Sequence, residues 1–111
     1  MPLEARDQAL LADLRAAAAE ALGFVKGMSE AQFLKDRKTQ KAVERELEIL
    51  GEAAKGLSEA ARSRYPKVPF RAIIGMRNIL AHDYGRVDPK ELWATVSVAL
   101  PSLMKELGKE G

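Results

Sequence analysis

Apolar residues recur along this chain at intervals of three and four, and no segment alternates at the two-residue period of a strand. Leu11, Leu14, Ala18, Ala21, Leu22 and Val25 trace one face of a helix from about Glu4 to Lys26, which Gly27 is suited to stop. Ser29 is placed to cap a short turn, SEAQFL. Asp36 caps a second long helix that runs to about Ala61, with Val43, Leu47, Leu50, Ala54 and Leu57 as its stripe. The segment YPKVPF breaks the pattern, because each proline disfavours α geometry in the residue before it. Pro69 then suits the first turn of a third helix, FRAIIGMRNILAH. Asp88-Pro89-Lys90-Glu91 reads as a capping box with proline at the first helical position. The fourth helix that follows has Leu92, Val96, Ala99, Leu100, Leu103 and Leu107 on its inner face, with a kink at Pro101. The predicted fold is all-α: an up-and-down antiparallel bundle of four to five helices forming one domain over residues 1–111.

Composition narrows the chemistry. There is no cysteine, which excludes disulfides and thiolate metal sites, and one histidine is too few for an all-protein zinc site of the usual kind. No metal or other cofactor is expected. The N-terminal MPLEARDQAL carries acids where a secretory signal needs basic residues and an apolar run. Charges interrupt every alanine- and leucine-rich stretch before it reaches the roughly 20 residues of a membrane span. A cytoplasmic protein with no membrane partner is the expectation. The net charge of +2 is unevenly spread: Arg62, Arg64, Lys67, Arg71 and Arg77 fall between Glu59 and Asp83 with no acid among them. Such a stretch either attracts phosphates or is an ordinary solvated face.

The third helix carries the chemistry. Its end, RNILAHDY, contains the chain's only asparagine and only histidine, Asn78 and His82, four apart on one helical face. Arg77 is offset by one position, and Tyr84 follows in the exit loop. The negative end of the helix dipole favours a cation at His82. Two readings of this cluster are open. In one, His82 caps carbonyls, Arg77 pairs with a glutamate and Tyr84 packs. In the other, they converge as a site. Gly75 fits close helix packing better than phosphate binding, and Trp93 belongs in the core.

RNILAHDY has the form R-x-x-x-x-H-x-Y, and its context, IIGMRNILAHDYGRVD, resembles the HepT-like branch of the HEPN superfamily. FLKDRKTQKAVERELEILGEAAKGLS, YPKVPF and VDPKELWATV also fall where that family has similar segments, so the likeness spans nearly the whole chain. Phe70 stands where many relatives have tryptophan. The resemblance implies an endoribonuclease toxin with an RNA substrate. It acts as a homodimer, within a toxin–antitoxin complex, and the motif helices face each other across a cleft. Arg77 and His82 would be catalytic, with Asn78 and Asp83 in support. The implied partner is a minimal nucleotidyltransferase antitoxin that transfers AMP from ATP to Tyr84 and so silences the nuclease.

Residue chemistry fits this independently. Metal-free RNA cleavage can use the neighbouring 2′-OH as nucleophile, with a base for that hydroxyl, an acid for the leaving 5′-oxygen and a cation for the phosphorane. Histidine suits the proton transfers, and the planar arginine fork suits the phosphate. One histidine per chain means that separate acid and base histidines require two chains, unless arginine or water replaces one of them. A rival reading is a non-catalytic helical module that serves as substrate or adaptor of the nucleotidyltransferase.

Overall fold

A computed structural model describes residues 2–82 and 87–108. It is all-helical, with no strand among the described residues. The elements are α1 (Ala5–Phe24), α2 (Glu30–Leu34), α3 (Arg37–Gly56), α4 (Glu59–Ser63), α5 (Phe70–His82), α6 (Pro89–Ala94), a π-helical segment (Thr95–Ala99) and α7 (Leu100–Leu107). At 1.5 Å per residue, α1 and α3 are each about 30 Å long and supply the frame. They run antiparallel, since Asp7 at the start of α1 bonds Ser58 just beyond the end of α3. The central helix is α3, with α1 on one side and α5 on the other. The α2 turn bridges α3 and α6, and α7 closes against α1, where Arg15 donates to the Leu107 carbonyl at 2.9 Å.

The expected caps are present. Gly27 takes φ of 79°, the left-handed geometry that a helix stop needs. Ser29 and Gln32 form a reciprocal capping box. Asp36 accepts from the Thr39 amide at 3.0 Å and from its hydroxyl at 2.7 Å. Asp88 caps α6 through the Lys90 amide rather than the residue after it, with Pro89 at the first position.

Three expectations change. The second long helix does not reach Ala61: α3 ends at Gly56, Leu57 is extended, and Ser58 caps a separate α4. Buried Asp7 causes the break by accepting from both the Ser58 amide and its hydroxyl, at 2.9 and 2.6 Å. Arg62 completes it by donating to the carbonyls of Ala54 and Lys55. At Pro101 the ladder widens in advance, through a π turn in which Leu100 donates to Thr95. That turn shifts the helical phase, so Ala99 is exposed while Val96 and Leu100 stay buried. Trp93 is half-buried rather than central, its ring 5.4 Å from that of fully buried Phe33.

The glycine that matters for packing is Gly51, not Gly75. A Cβ on Gly75 would meet nothing within 4 Å, whereas one on Gly51 would overlap the Arg77 side chain and lie 3.1 Å from the Ile73 carbonyl. The missing side chain lets α5 lie directly on α3, with the Arg77 stem against the backbone. Gly51→Ala gains up to about 1 kcal/mol in helix propensity. It loses about 1–3 kcal/mol to overpacking, because a backbone carbonyl cannot move aside. The expected net result is a lower melting temperature, and an unchanged or higher one in thermal unfolding would contradict the close approach.

Between α1 and α3, Glu46 is buried, and this burial raises its carboxyl above the usual glutamate range; the like charge of Glu20 and a hydrogen bond to it act in the same direction. Ionised Glu46 therefore opposes folding at neutral pH, and the penalty disappears as pH falls through its raised value into the ordinary glutamate range. Asp7 behaves oppositely: its hydrogen bonds from Ser58 lower its pKa, so its contribution is present at neutral pH and is lost in acid. Glu46→Gln should raise the melting temperature at pH 7. The gain should shrink as pH approaches the ordinary glutamate range, and a gain that grows on acidification would refute the assignment.

Candidate functional site

The α5 helix is apolar along most of its length, yet it places three polar side chains near its end. Arg77 lies over Gly51, its stem packed and its guanidinium aimed along α3. Nη2 pairs with Glu52 Oε2 at 2.6 Å, and Nη1 donates to Asn78 Oδ1 at 3.1 Å. The Arg77 side chain is 21% exposed and that of Glu52 59%. Screening at such an exposed carboxylate limits the pair's contribution to stability to about 0–1 kcal/mol. Its effect is on geometry: it fixes where the guanidinium points.

Asn78 is exposed, and its oxygen is engaged by Arg77. With the acceptor occupied, its two amide N–H donors remain for another group. His82 is exposed at the last residue of α5 and shares the Asn78 face by its four-residue spacing. The structure thus brings Arg77 and Asn78 together and leaves His82 one turn further on. Asp83 and Tyr84 lie outside the described residues.

Glu52 was not singled out in the sequence. The signal available was the GEA segment, in which a glycine that permits close approach directly precedes a carboxylate. Of the basic stretch, Arg62 is spent on α3 carbonyls, whereas Arg77 gives one donor to Glu52 and one to Asn78 and keeps the others; Arg64, Lys67 and Arg71 are further candidates for phosphate attraction.

Beside Arg77 opens a groove of about 700 Å3 between α1 and α3. Its floor is apolar, and Asp13, Glu20, Glu46, Glu48 and Glu52 line it, with Arg45 and Arg77 as the cations. With five carboxylates to two arginines, the groove disfavours a polyanion on the α1 side of Arg77. Among the described residues, no three His, Cys, Asp or Glu side chains are grouped to hold a metal ion. Nor is any described helix long and apolar enough to cross a membrane.

The geometry can be set beside known proteins. Residues 14–109 match the family model described as ribonuclease HepT-like. A candidate RNase of Methanocaldococcus jannaschii is 37% identical over 100 residues, covering 90% of this chain and 83% of its own. A protein of Thermococcus cleftensis named probable ribonuclease HepT is 41% identical over 86 residues, 78% of each chain. A candidate RNase of Caldanaerobacter subterraneus subsp. tengcongensis is 41% identical over 83 residues, 75% of this chain and 74% of its own. No solved structure matches. The match over residues 14–109 includes α3, α5 and every described site residue, and by it the chain belongs to the HepT-like ribonuclease family.

Proposed function

We propose that this protein is a metal-independent endoribonuclease of a toxin–antitoxin pair, acting as a homodimer. Membership of a ribonuclease family, with Arg77 and His82 both present on α5, carries the reading. Arg77 supplies the planar fork that holds a phosphate and offsets charge on the phosphorane. His82 moves the protons: as base it takes the 2′-OH proton, as acid it protonates the leaving 5′-oxygen. Asn78 offers its free amide donors to a phosphate oxygen, and Asp83 supports the histidine. The first step breaks the P–O5′ bond and forms a 2′,3′-cyclic phosphate, and water opens that ring to a 3′-phosphate.

The outer side of α5 favours a second copy. Ala72 and Ile79 are exposed there, Gly75 leaves open space, and an apolar groove of about 420 Å3 separates α5 from the C-terminal helix. Pairing two α5 helices on this side would bring two histidines to one cleft, while the acid-lined grooves face away. The rival reading, a non-catalytic module that serves a nucleotidyltransferase, draws on the Arg77–Glu52 ion pair, which is also what a purely structural arginine would make. Nuclease assays decide between them. Arg77→Ala and His82→Ala should each lower RNA cleavage by at least about 100-fold with helical content retained. Wild-type cleavage by a folded His82→Ala protein would remove histidine from the mechanism.

Control falls to Tyr84. A partner nucleotidyltransferase attaches AMP from ATP to its hydroxyl, with pyrophosphate leaving, and the added phosphate, of charge about −1, and its nucleoside block RNA beside Arg77 and His82. Tyr65, the only other tyrosine, is half-buried, with its hydroxyl 3.5 Å from Arg15. After incubation with the partner and ATP, peptide mass spectrometry should find AMP on Tyr84 and no adduct on Tyr84→Phe. AMP on Tyr65 would overturn the assignment.

A further inference from the structure

The chemistry above makes no use of Glu52, yet its carboxylate pairs with Arg77 at 2.6 Å, closer than the Lys41–Glu44 and Arg45–Glu48 pairs on the same helix. The pair is held from both ends. On α5, the Arg77 Cβ and Cγ lie against the Gly51 backbone, so the stem cannot swing away from α3 without separating the helices. On α3, Glu52 is the residue next to Gly51, and its Oε2 reaches Nη2 at 2.6 Å. Asn78 Oδ1 takes Nη1 at 3.1 Å. A guanidinium has five N–H donors in one plane, so two bonds fix the plane and leave the other donors pointing in set directions.

We infer that Glu52 is the positioning residue of Arg77: it grips one end of the guanidinium against α3 and thereby presents the remaining donors to the RNA phosphate. This rests on the ribonuclease reading. The alternative, that phosphate displaces Glu52, would release a carboxylate into a groove where Asp13, Glu20, Glu46 and Glu48 outnumber the one other cation besides Arg77, Arg45, which already pairs with Glu48 at 3.9 Å. Keeping the pair while phosphate binds the free donors avoids that repulsion.

Three variants, Glu52→Ala, Glu52→Gln and Arg77→Ala, test this with a labelled single-stranded RNA that the wild-type protein cleaves. Misplacing a catalytic group by about 1 Å can cost 100-fold, so Glu52→Ala should lower kcat by about 10- to 100-fold. KM should change far less, and the melting temperature should fall by no more than about 4 °C, as fits an exposed carboxylate. Glu52→Gln keeps an oxygen that can accept from Nη2 and should recover most of the lost kcat. A wild-type kcat in Glu52→Ala, or faster cleavage with a lower KM, would overturn the inference. Side-chain NMR of the Arg77 Nε–Hε group gives a readout free of activity: its order should fall in Glu52→Ala, and unchanged order would also overturn it. Unchanged cleavage by Arg77→Ala, or none by the wild type, would instead defeat the ribonuclease reading, and the NMR result would still stand for or against the grip of Glu52.

Discussion

The close approach of α5 to α3 at Gly51 is the constraint on which the rest of this structure depends. One absent side chain lets an arginine stem lie on a helix backbone, and the neighbouring glutamate then meets the guanidinium at 2.6 Å. Packing and chemistry are joined here. The same contact that fastens α5 to the frame holds the Arg77 side chain, and His82 follows on the same helix. A site built on a helix buttressed in this way holds its geometry better than one carried on a loop.

The frame has its own hierarchy. Burial of Leu14, Val43 and Phe33 fills the space among α1, α2 and α3, while polar anchors decide where the helices stop. Asp7 is one such anchor: by taking both Ser58 donors it ends α3 and starts α4, which sends the chain round to place α5 beside Gly51. Glu46 is a cost of the arrangement, a buried carboxyl facing Glu20 on α1. The resulting charge pattern is polar in the directional sense, with an acid-lined groove on the α1 side and apolar, less charged surface along the outside of α5.

Much of this was legible in the sequence, because helix periodicity and caps are local signals. Gly27, Ser29, Asp36 and Pro89 each sit where the sequence placed them, and Arg77 and His82 fall on one helix as their spacing required. What was not legible depends on contacts far apart in the chain. The break after Gly56 needs Asp7, 51 residues from Ser58, and the buried stripe of α3 continues through Leu57 without revealing it. Gly51 and Gly75 look alike in a helical sequence; only the neighbour differs. The π turn before Pro101 trades one ladder for another, so the phase of the last helix could not be counted from a period of 3.6.

In the proposed mechanism side chains alone, an arginine set against α3 and a histidine at the end of α5, cleave RNA through its own 2′-OH. The most direct test is the chemistry of the products. Purified protein is incubated with RNA in excess EDTA and the new termini are identified by mass spectrometry. Cleavage should persist under these conditions, with 2′,3′-cyclic phosphate or 3′-phosphate on one fragment and 5′-hydroxyl on the other. Strict dependence on an added divalent ion, or 5′-phosphate termini, would contradict it.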